Sequence, residues 1–281
     1  MADLNDPHTT VKILADSISP ADNRLTTMEL CYPKRIHEEL LTHRVFARNA
    51  RSTRAVPTIK YIEEINNGKT YIPAFTKNKK GMQGEIIEKE SEEWVDALVT
   101  WNHARRLAIK ATEKLAQLNI HKQDANDLLA PFIYVHTVYT ASEYYKMPMG
   151  KNYTFDCPWD SLFNLRVRED AHPAFQDLSR KMRAAYKESE PIPRRQHFPY
   201  ISSDREKNFT SPEICMKVSA ARCARVSYAP FGESETNIEK DLELGNRLLE
   251  SKHMSPFEHP AVVSEGQWGC FYGWKSYRMS L

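Results

Sequence analysis

The sequence predicts an α+β protein, because it contains segments with strand character and segments with clear helical periodicity. Strand character is strongest in Met28–Pro33 and in Pro131–Ser142, which are rich in β-branched and aromatic residues. Helical periodicity is clearest over residues 91–118, where apolar residues recur every three or four positions. The 281 residues suffice to bury a substantial core, as one large domain or two small ones.

After the first strand, the chain is predicted to form a short helix, a surface excursion and a long helix. Ile36 and Leu40 share one face of a helix that begins near residue 34, and residues 63–90 are polar and rich in Lys, Gly, Asn and Glu. Ser91 suits the N-cap of the long helix. The expected buried face of that helix consists of Trp94, Leu98, Trp101, Ala104, Ala108, Ala111, Leu115 and Leu118.

The second part of the chain is predicted to be mainly helical. Helices are indicated over Trp159–Arg166, Ala174–Tyr186, a segment that starts at Ser211-Pro212, and Ile238–Glu250. Tyr144–Pro158, with its aromatic, Pro and Gly residues, predicts an ordered loop. Ser189–Ser211 is rich in proline and charge and predicts a linker. We therefore expect a first part over 1–190 and a second over 191–281, which together form one compact unit.

Composition excludes several classes of protein. The net charge of +2 is small for a protein that binds duplex nucleic acid, so no nucleic-acid partner is expected. No apolar run is long enough to span a membrane, and the first ten residues show no signal-peptide pattern, which predicts a cytoplasmic protein without a membrane partner. The five cysteines are odd in number and form no CxxC pair, so reduced thiols are expected.

The stretch THRVFARNARSTR, Thr42–Arg54, concentrates positive charge. Its cationic or titratable residues are His43, Arg44, Arg48, Arg51 and Arg54, and it contains no acid. Arginine side chains bind phosphate and carbonyl oxygens through two parallel hydrogen bonds. The stretch therefore predicts a site for a small anion such as a nucleotide, while a solvated basic loop or a nucleic-acid arm are the alternative interpretations.

Three further segments contain groups that could line a ligand site. They are HMSPFEHPA at His253–Ala261, SAARCARVSY at Ser219–Tyr228, and WDSLFNLR at Trp159–Arg166. The first combines two histidines with a glutamate, but their spacing matches no zinc motif, so no metal is expected. Glycine-rich phosphate loops and the GxSxG elbow are both missing from the sequence. Any nucleotide or flavin must then be held by Arg, His, Asn and Ser side chains.

Together these four segments resemble the flavin-dependent thymidylate synthases. The basic stretch is similar to that family's Arg-His-Arg signature, and HMSPFEH has every fixed position of its His-x-Ser/Thr-Pro-Phe-Glu-His segment. ARCARVSY and WDSLFNLR resemble its Ala-Arg-Ser helix end and its base-binding arginine segment. The order is permuted, because the signature precedes the Ala-Arg-Ser and Pro-Phe-Glu-His segments here. A similar permuted order is associated with a branch of this family that occurs in phage and some bacterial genomes.

The resemblance implies helices packed on an antiparallel sheet and the conversion of dUMP to dTMP. Methylenetetrahydrofolate would supply the carbon, FAD the hydride and NADPH the reducing power, in a homotetramer that builds its sites at subunit interfaces. Arg166 and Arg54 would be the catalytic residues. The residues implied for flavin binding are His43, Arg44, Asn49, Ser227, His253, Ser255 and Glu258. Those implied for substrate binding are Arg44, Ser52, Arg54 and Arg166.

The sequence departs from the family pattern at several positions. Thr42, Ala47 and Ala50 replace the signature's first Arg, first Ser and Glu. Asn126 or Asp127 stands where the family has another nucleotide-binding arginine. Two alternatives therefore stay open. One is a related hydroxymethylase that acts on dUMP or dCMP, and the other is a non-catalytic nucleotide- or RNA-binding relative. The C-terminal GWKSYRMSL also resembles a degenerate second copy of the signature's beginning.

Overall fold

The computed structural model describes residues 4–80, 84–149, 152–201, 211–226 and 237–281. Its strands are β1 (Thr10–Ile18), β2 (Arg24–Pro33), β3 (Ala47–Ala50), β4 (Thr76–Lys77), β5 (Glu85–Ile86), β6 (Tyr134–Ser142), β7 (Tyr145–Met149), β8 (Asn152–Asp156), β9 (Ile192–Pro193), β10 (Gln196–His197), β11 (Ala261–Trp268) and β12 (Phe271–Ser276). Its α-helices are α1 (His37–Leu41), α2 (Thr58–Asn66), α3 (Glu92–Gln117), α4 (Lys122–Asp127), α5 (Pro158–Arg166), α6 (Pro173–Glu188), α7 (Pro212–Arg225) and α8 (Ile238–Glu250). Short 3-10 turns include Lys34–Ile36 and Ser255–Glu258.

A five-stranded sheet in the order β3-β6-β2-β1-β9 forms the centre of the fold. Its pairs are antiparallel except for β1 with β9, which is parallel. A smaller sheet, β10-β11-β12, is entirely antiparallel. The α+β class is confirmed in this coarser form, as helices packed with mixed sheets.

The two faces of the central sheet have different partners. On one face, Tyr139 and Phe46 pack with Trp159 of α5 and Phe175 of α6 in the largest apolar cluster. On the other face, Leu25 and Ala47 pack against residues of the small sheet, among them Ala261, Phe271 and Trp274. We call the first the helix face and the second the small-sheet face. Because strand side chains alternate between faces, adjacent residues of one strand enter different environments.

Several predicted elements are confirmed. Strand β2 covers Met28–Pro33, and α5, α6 and α8 match the predicted helices. The predicted strand Pro131–Ser142 is confirmed only from Tyr134 onward as β6, because Ala130–Phe132 forms a 3-10 turn. The long helix α3 begins after Ser91, whose hydroxyl accepts a hydrogen bond from the Trp94 amide at 3.3 Å. The Ser211 hydroxyl caps α7 in the same way, through the Ile214 amide at 3.3 Å.

Other predictions are wrong. Residues 145–156, expected to be a loop, contain the β7–β8 hairpin, because the aromatic and β-branched residues there favour a strand. The expected linker contains β9 and β10, and its described end buries Phe198 and Tyr200, so residues 197–201 belong to the core. Residues 202–210 of that segment lie outside the described ranges. Strand β1 and the β11–β12 hairpin were not predicted at all.

The predicted buried face of α3 is only partly correct. Trp101 donates a hydrogen bond from Nε1 to the Tyr71 carbonyl at 3.0 Å, and Ala108 packs on a core cluster. Ala104, Ala111 and Leu118, by contrast, are exposed. Periodicity indicates which residues share a helix face, but it does not determine how much protein covers that face. No helix in the described ranges is long and apolar enough to cross a membrane, and none of the five cysteines forms a disulfide.

Candidate functional site

Asn49 joins three of the sequence motifs on the small-sheet face. Its Nδ2 donates to the Cys223 carbonyl of α7 at 3.0 Å, across 174 residues of chain. Its Oδ1 accepts from the Ser255 hydroxyl at 3.1 Å, across 206 residues. The side chain is buried, with 5% of its surface exposed. The basic stretch, the Ala-rich helix and the Ser-Pro-Phe-Glu turn therefore meet at one amide.

Strand alternation separates Asn49 from its neighbour Arg48. Arg48 Nη1 donates to the carbonyls of Leu41 and His43, at 2.7 and 3.1 Å, near the end of α1. Asn49, one residue later, bonds to α7 and Ser255. β3 is the edge strand of its sheet. A ligand that lies along the outer side of β3 can therefore contact side chains from both faces of the sheet. The basic stretch was expected to run into a loop, and its central part is instead this strand.

Arg166 lies at the end of α5 in a dense set of polar contacts. Its Nη1 donates to Glu39 Oε2 at 3.0 Å, its Nε to His43 Nε2 at 3.0 Å and its Nη2 to Thr42 Oγ1 at 3.2 Å. Its guanidinium carbon lies 4.5 Å from the centre of the Phe175 ring. The structure thus joins the WDSLFNLR segment to the start of the basic stretch, as a group separate from Asn49.

The protonation of His43 is consistent with this arrangement. Burial lowers the pKa of His43 to about 4, helped by the positive charges of Arg166 and Arg48. A neutral imidazole at pH 7 leaves Nε2 free to accept the hydrogen bond from Arg166. The imidazole also meets the Phe175 ring edge-on, at 6.1 Å between ring centres. His43 therefore helps to orient Arg166.

Four further site residues are exposed. They are Arg44, Ser52, Arg54 and His253. Neither arginine has an ion-pair partner within the described ranges, and His253 has none there either. Ser52 Oγ accepts a hydrogen bond from the Arg54 backbone amide at 3.3 Å. Unpaired guanidinium groups at the two ends of β3 fit an anionic ligand such as a phosphate. Ser227, also predicted to bind flavin, lies outside the described residues.

The loop after β3 is anchored by Asn126, one of the two residues that can stand where the family pattern has a nucleotide-binding arginine. Asn126 is fully buried, and its Nδ2 donates to the Thr53 carbonyl at 2.9 Å and to the Val56 carbonyl at 3.0 Å. The Asn126 amide therefore fixes the backbone that carries Arg54. This side chain shapes the loop, whereas an arginine at the same position could contact a ligand directly.

Glu258 and Arg225 are both engaged in ion pairs. Glu258 pairs with Arg278 in the C-terminal segment that resembles a second signature. Arg225 donates to Asp241 Oδ1 at 2.6 Å, and Arg222 donates to Asp241 Oδ2 at 2.8 Å. Asp241 is 1% exposed, so this carboxylate holds the motif end of α7 against α8.

A chain of buried polar side chains runs between the two sheets. His197 bonds to the Ser17 hydroxyl at 2.9 Å and to the Thr27 hydroxyl at 2.7 Å. Thr27 bonds to Thr140 at 2.8 Å, and Thr140 bonds to Nδ1 of His259 at 2.8 Å. Nε2 of His259 is buried and has no partner among the described residues. The sequence motif contains His259, but its sequence context gave no sign of this network.

A second polar group that the sequence analysis missed lies near Asn49 on the small-sheet face. Glu29 Oε2 accepts from the Tyr200 hydroxyl at 2.8 Å, and Glu29 Oε1 lies 3.7 Å from His136 Nδ1. Burial lowers the pKa of His136, but the Cys31 thiol and the Glu29 carboxylate raise the value more, to about 9. The residues came from segments predicted as buried strands, and only their cross-strand pairing brings them together. Among the described residues, no group of His, Cys, Asp and Glu has the arrangement of a metal site.

Comparison with known proteins gives a distant structural likeness. No family model matches the sequence, and a search of characterised proteins returned no match. The fold is similar to a UMP/dUMP methylase PolB from Streptomyces cacaoi bound with 5-Br dUMP, with a TM-score of 0.41 and 16% identity over 58% of this chain and 65% of that chain. The same methylase bound with 5-Br UMP gives a TM-score of 0.46 and 14% identity, over 65% of this chain and 89% of that chain. Because both TM-scores are below 0.5, the function proposed below rests on the chain's own residues.

Proposed function

We propose that this chain is a flavin-dependent thymidylate synthase that converts dUMP to dTMP with methylenetetrahydrofolate as the carbon donor. The observation that carries the proposal is the junction at Asn49. Three segments that resemble separate parts of the family's site lie within hydrogen-bonding distance there, although 174 and 206 residues of chain separate them. Their permuted order in the sequence is therefore compatible with a single site in space.

The nucleotide is proposed to lie along the outer side of β3. Arg44 precedes this strand and Arg54 follows it, and both guanidinium groups are exposed. They would hold the phosphate, with Ser52 as an additional donor. The pyrimidine would then extend toward Arg166, which lies beside the same stretch through Glu39 and His43. Negative charge that develops on the ring during one-carbon transfer would be stabilised by this guanidinium.

The flavin is proposed to lie at the Asn49 junction. His253 is exposed at the start of the turn, and Ser255 and Glu258 belong to the turn itself. His43, Arg44 and Asn49 contribute from the basic stretch. The donors and acceptors of these side chains would face the polar edge of a flavin, and Arg44 would contact its phosphates. When bound, reduced FAD would supply the hydride, and NADPH would supply the electrons that reduce it. The protein's own contribution is to orient both ligands and to limit access of water.

Analysis of the product tests this proposal directly. The protein is incubated with dUMP, and in parallel with dCMP, together with methylenetetrahydrofolate, FAD and NADPH, and the nucleotide is examined by mass spectrometry. We expect dTMP, which is heavier than dUMP by one CH₂ group. A hydroxymethylated nucleotide would support the related hydroxymethylase, for which the departures at Thr42, Ala47 and Ala50 are the motive. Unchanged dUMP and dCMP under conditions where FAD binds would contradict both enzymatic functions.

A further inference from the structure

Three positive side chains meet on the small-sheet face, beside the Asn49 junction. Arg51, Lys69 and His136 belong to the end of β3, the segment after α2 and the middle of β6. The Arg51 amide donates to the His136 carbonyl at 2.8 Å, so these two residues are neighbours across adjacent strands and share one face of the sheet. Lys69 Nζ lies 3.4 Å from His136 Nε2. We call these three residues the cationic group, and none of them has been given a role above.

Lys69 and His136 direct hydrogen-bond donors at each other. Burial lowers the pKa of His136, but Cys31 and Glu29 raise the value more, to about 9, so the imidazole is protonated at pH 7. A protonated imidazole and an ammonium group can only donate, so their 3.4 Å contact is not a hydrogen bond between them. No oxygen in the described ranges accepts a hydrogen bond from either nitrogen. Both donors are therefore available to an acceptor that lies between them.

Arg51 supplies a third set of donors whose partners are incomplete. The residue is 6% exposed, and its Nη1 lies 3.4 Å from Glu64 Oε1, which is long for a charged hydrogen bond. Its Nε is buried and has no partner in the part of the chain that the structure describes. The Glu64 carbonyl accepts from the Lys69 amide at 2.9 Å, so the end of α2 holds Lys69 close to the residue that contacts Arg51. Leaving a buried guanidinium nitrogen without an acceptor is costly, which favours a ligand that supplies one.

Positive charge exceeds negative charge around the cationic group. The acidic residues that contact it within the described ranges are Glu29, beside His136, and Glu64, beside Arg51. Lys12, opposite Glu29 in the β1–β2 ladder, adds a fourth positive residue. Two positive charges therefore remain without an opposite charge in a partly buried region. A phosphate monoester carries close to two negative charges at pH 7, and its oxygens accept charged hydrogen bonds from several directions.

The position of the cationic group indicates which phosphate monoester it suits. The phosphate of dUMP is proposed to lie at Arg44 and Arg54, and its base extends toward Arg166 on the helix face. The cationic group lies on the opposite face, where Asn49 is proposed to meet the flavin. Arg51 follows Asn49 by two residues, a distance of about 7 Å along an extended chain. The second phosphate monoester of the proposed reaction is the 2′-phosphate of NADPH, and NADPH is the ligand that must approach the flavin.

We propose that Arg51, Lys69 and His136 bind the 2′-phosphate of NADPH and thereby select NADPH over NADH. This assignment rests on the proposed function, because it locates the reductant of that reaction. Lys69 Nζ and His136 Nε2 donate to one side of the phosphate, and the Arg51 guanidinium group donates to another. NADH has a hydroxyl group at the 2′ position, so it leaves the excess positive charge without a partner. Discrimination between the two cofactors follows from this uncompensated charge.

Two small nucleotides test the site without flavin and without turnover. Adenosine 2′,5′-bisphosphate and 5′-AMP differ only in the 2′-phosphate, and isothermal titration calorimetry measures the affinity of each. We expect the wild type to bind the bisphosphate roughly 100-fold more tightly than 5′-AMP. Lys69→Gln and Arg51→Gln should each lower this preference roughly 10-fold or more, the usual effect of losing a hydrogen bond to a charged group, and should leave the affinity for 5′-AMP unchanged. Lys60→Gln, which changes an exposed lysine of α2, is the matched control and should keep the wild-type preference.

The same proteins are titrated with dUMP, which separates the two phosphate monoesters. Lys69 is only partly buried, so Lys69→Gln keeps the test valid if the change at the buried Arg51 impairs folding. Equal affinity of the wild type for the two probes, an unchanged preference in Lys69→Gln, or a loss of dUMP affinity in that variant would overturn the proposal. Formation of dTMP with NADH as efficiently as with NADPH would also overturn it, while the proposed function would stand. A wild type that prefers the bisphosphate but forms no dTMP would support the 2′-phosphate site and contradict the proposed function alone.

Discussion

Replacement of Arg166 by alanine is expected to lower turnover about 100- to 1000-fold, the usual effect of removing a donor that stabilises charge in the transition state. FAD binding should be largely retained, because Asn49 and Ser255 bond to one another and His43 is the one proposed flavin residue that Arg166 contacts in the described ranges. Arg166→Lys should be partly active, since it keeps the charge but loses the planar fork. The measurement is the rate of dTMP formation per bound flavin.

The contacts of Arg166 also allow a purely structural role, and a matched variant separates the two. Glu39→Gln removes the charge that Arg166 contacts at 3.0 Å but leaves the guanidinium in place. If Arg166 stabilises the reacting pyrimidine, Glu39→Gln should retain most of the activity that Arg166→Ala loses. If the ion pair only holds α5 to α1, both variants should lower the melting temperature and flavin content together. A near wild-type rate per bound flavin in Arg166→Ala would remove this residue from the mechanism.

Lowering the pH from 7 to 5 is expected to reduce the free energy of unfolding by about 4 kcal/mol through His197 and His259 alone. Burial lowers the pKa of both imidazoles to about 3, and the nearby His259 and Arg194 lower the pKa of His197 further. The unfolded chain binds protons at these residues below about pH 6.5, whereas the folded chain does so only near pH 3. Their contribution to stability is therefore complete above pH 6.5 and is lost as the pH falls toward 3.

Urea unfolding at pH 7 and pH 5 measures this effect. His259→Gln should lower stability at pH 7, because Thr140 loses its imidazole partner, but the decrease between pH 7 and pH 5 should be about half that of the wild type. His253→Gln is the control, because its imidazole is exposed, and it should keep the wild-type decrease. A His259→Gln protein with the full wild-type decrease would show that His259 is not buried in its neutral form.

The sequence was sufficient to predict the elements whose signals are local. Ser91 and Ser211 carry their own capping hydroxyls, and the helices that follow them begin where expected. Strand β10 was missed because a short strand is defined by its partner, which can lie far away in the sequence. It pairs with β11 across more than sixty residues.

In the candidate site, too, local sequence signals identify some residues, whereas contacts between distant segments appear only in the structure. Motif resemblance selected Asn49 and Ser255, and the structure brings them to 3.1 Å from each other. It could not indicate that Arg48 and Asn49 point to opposite faces, because the stretch was predicted to be a loop and the alternation follows only from its being a strand. The Glu29–His136 pair and the His197–His259 network depend on cross-strand register, which periodicity in a single segment does not determine.

The most direct test of the central claim, that the three motif segments form one flavin site, is a titration with FAD followed by flavin fluorescence. The account predicts that the wild type binds FAD and that His253→Ala and Glu258→Ala each weaken binding by roughly 10- to 100-fold, the usual effect of losing one hydrogen bond to a charged group. Glu250→Ala, which removes an exposed carboxylate at the end of α8, should bind FAD like the wild type. Equal affinity in all four proteins, or no binding of FAD by the folded wild type, would contradict the account.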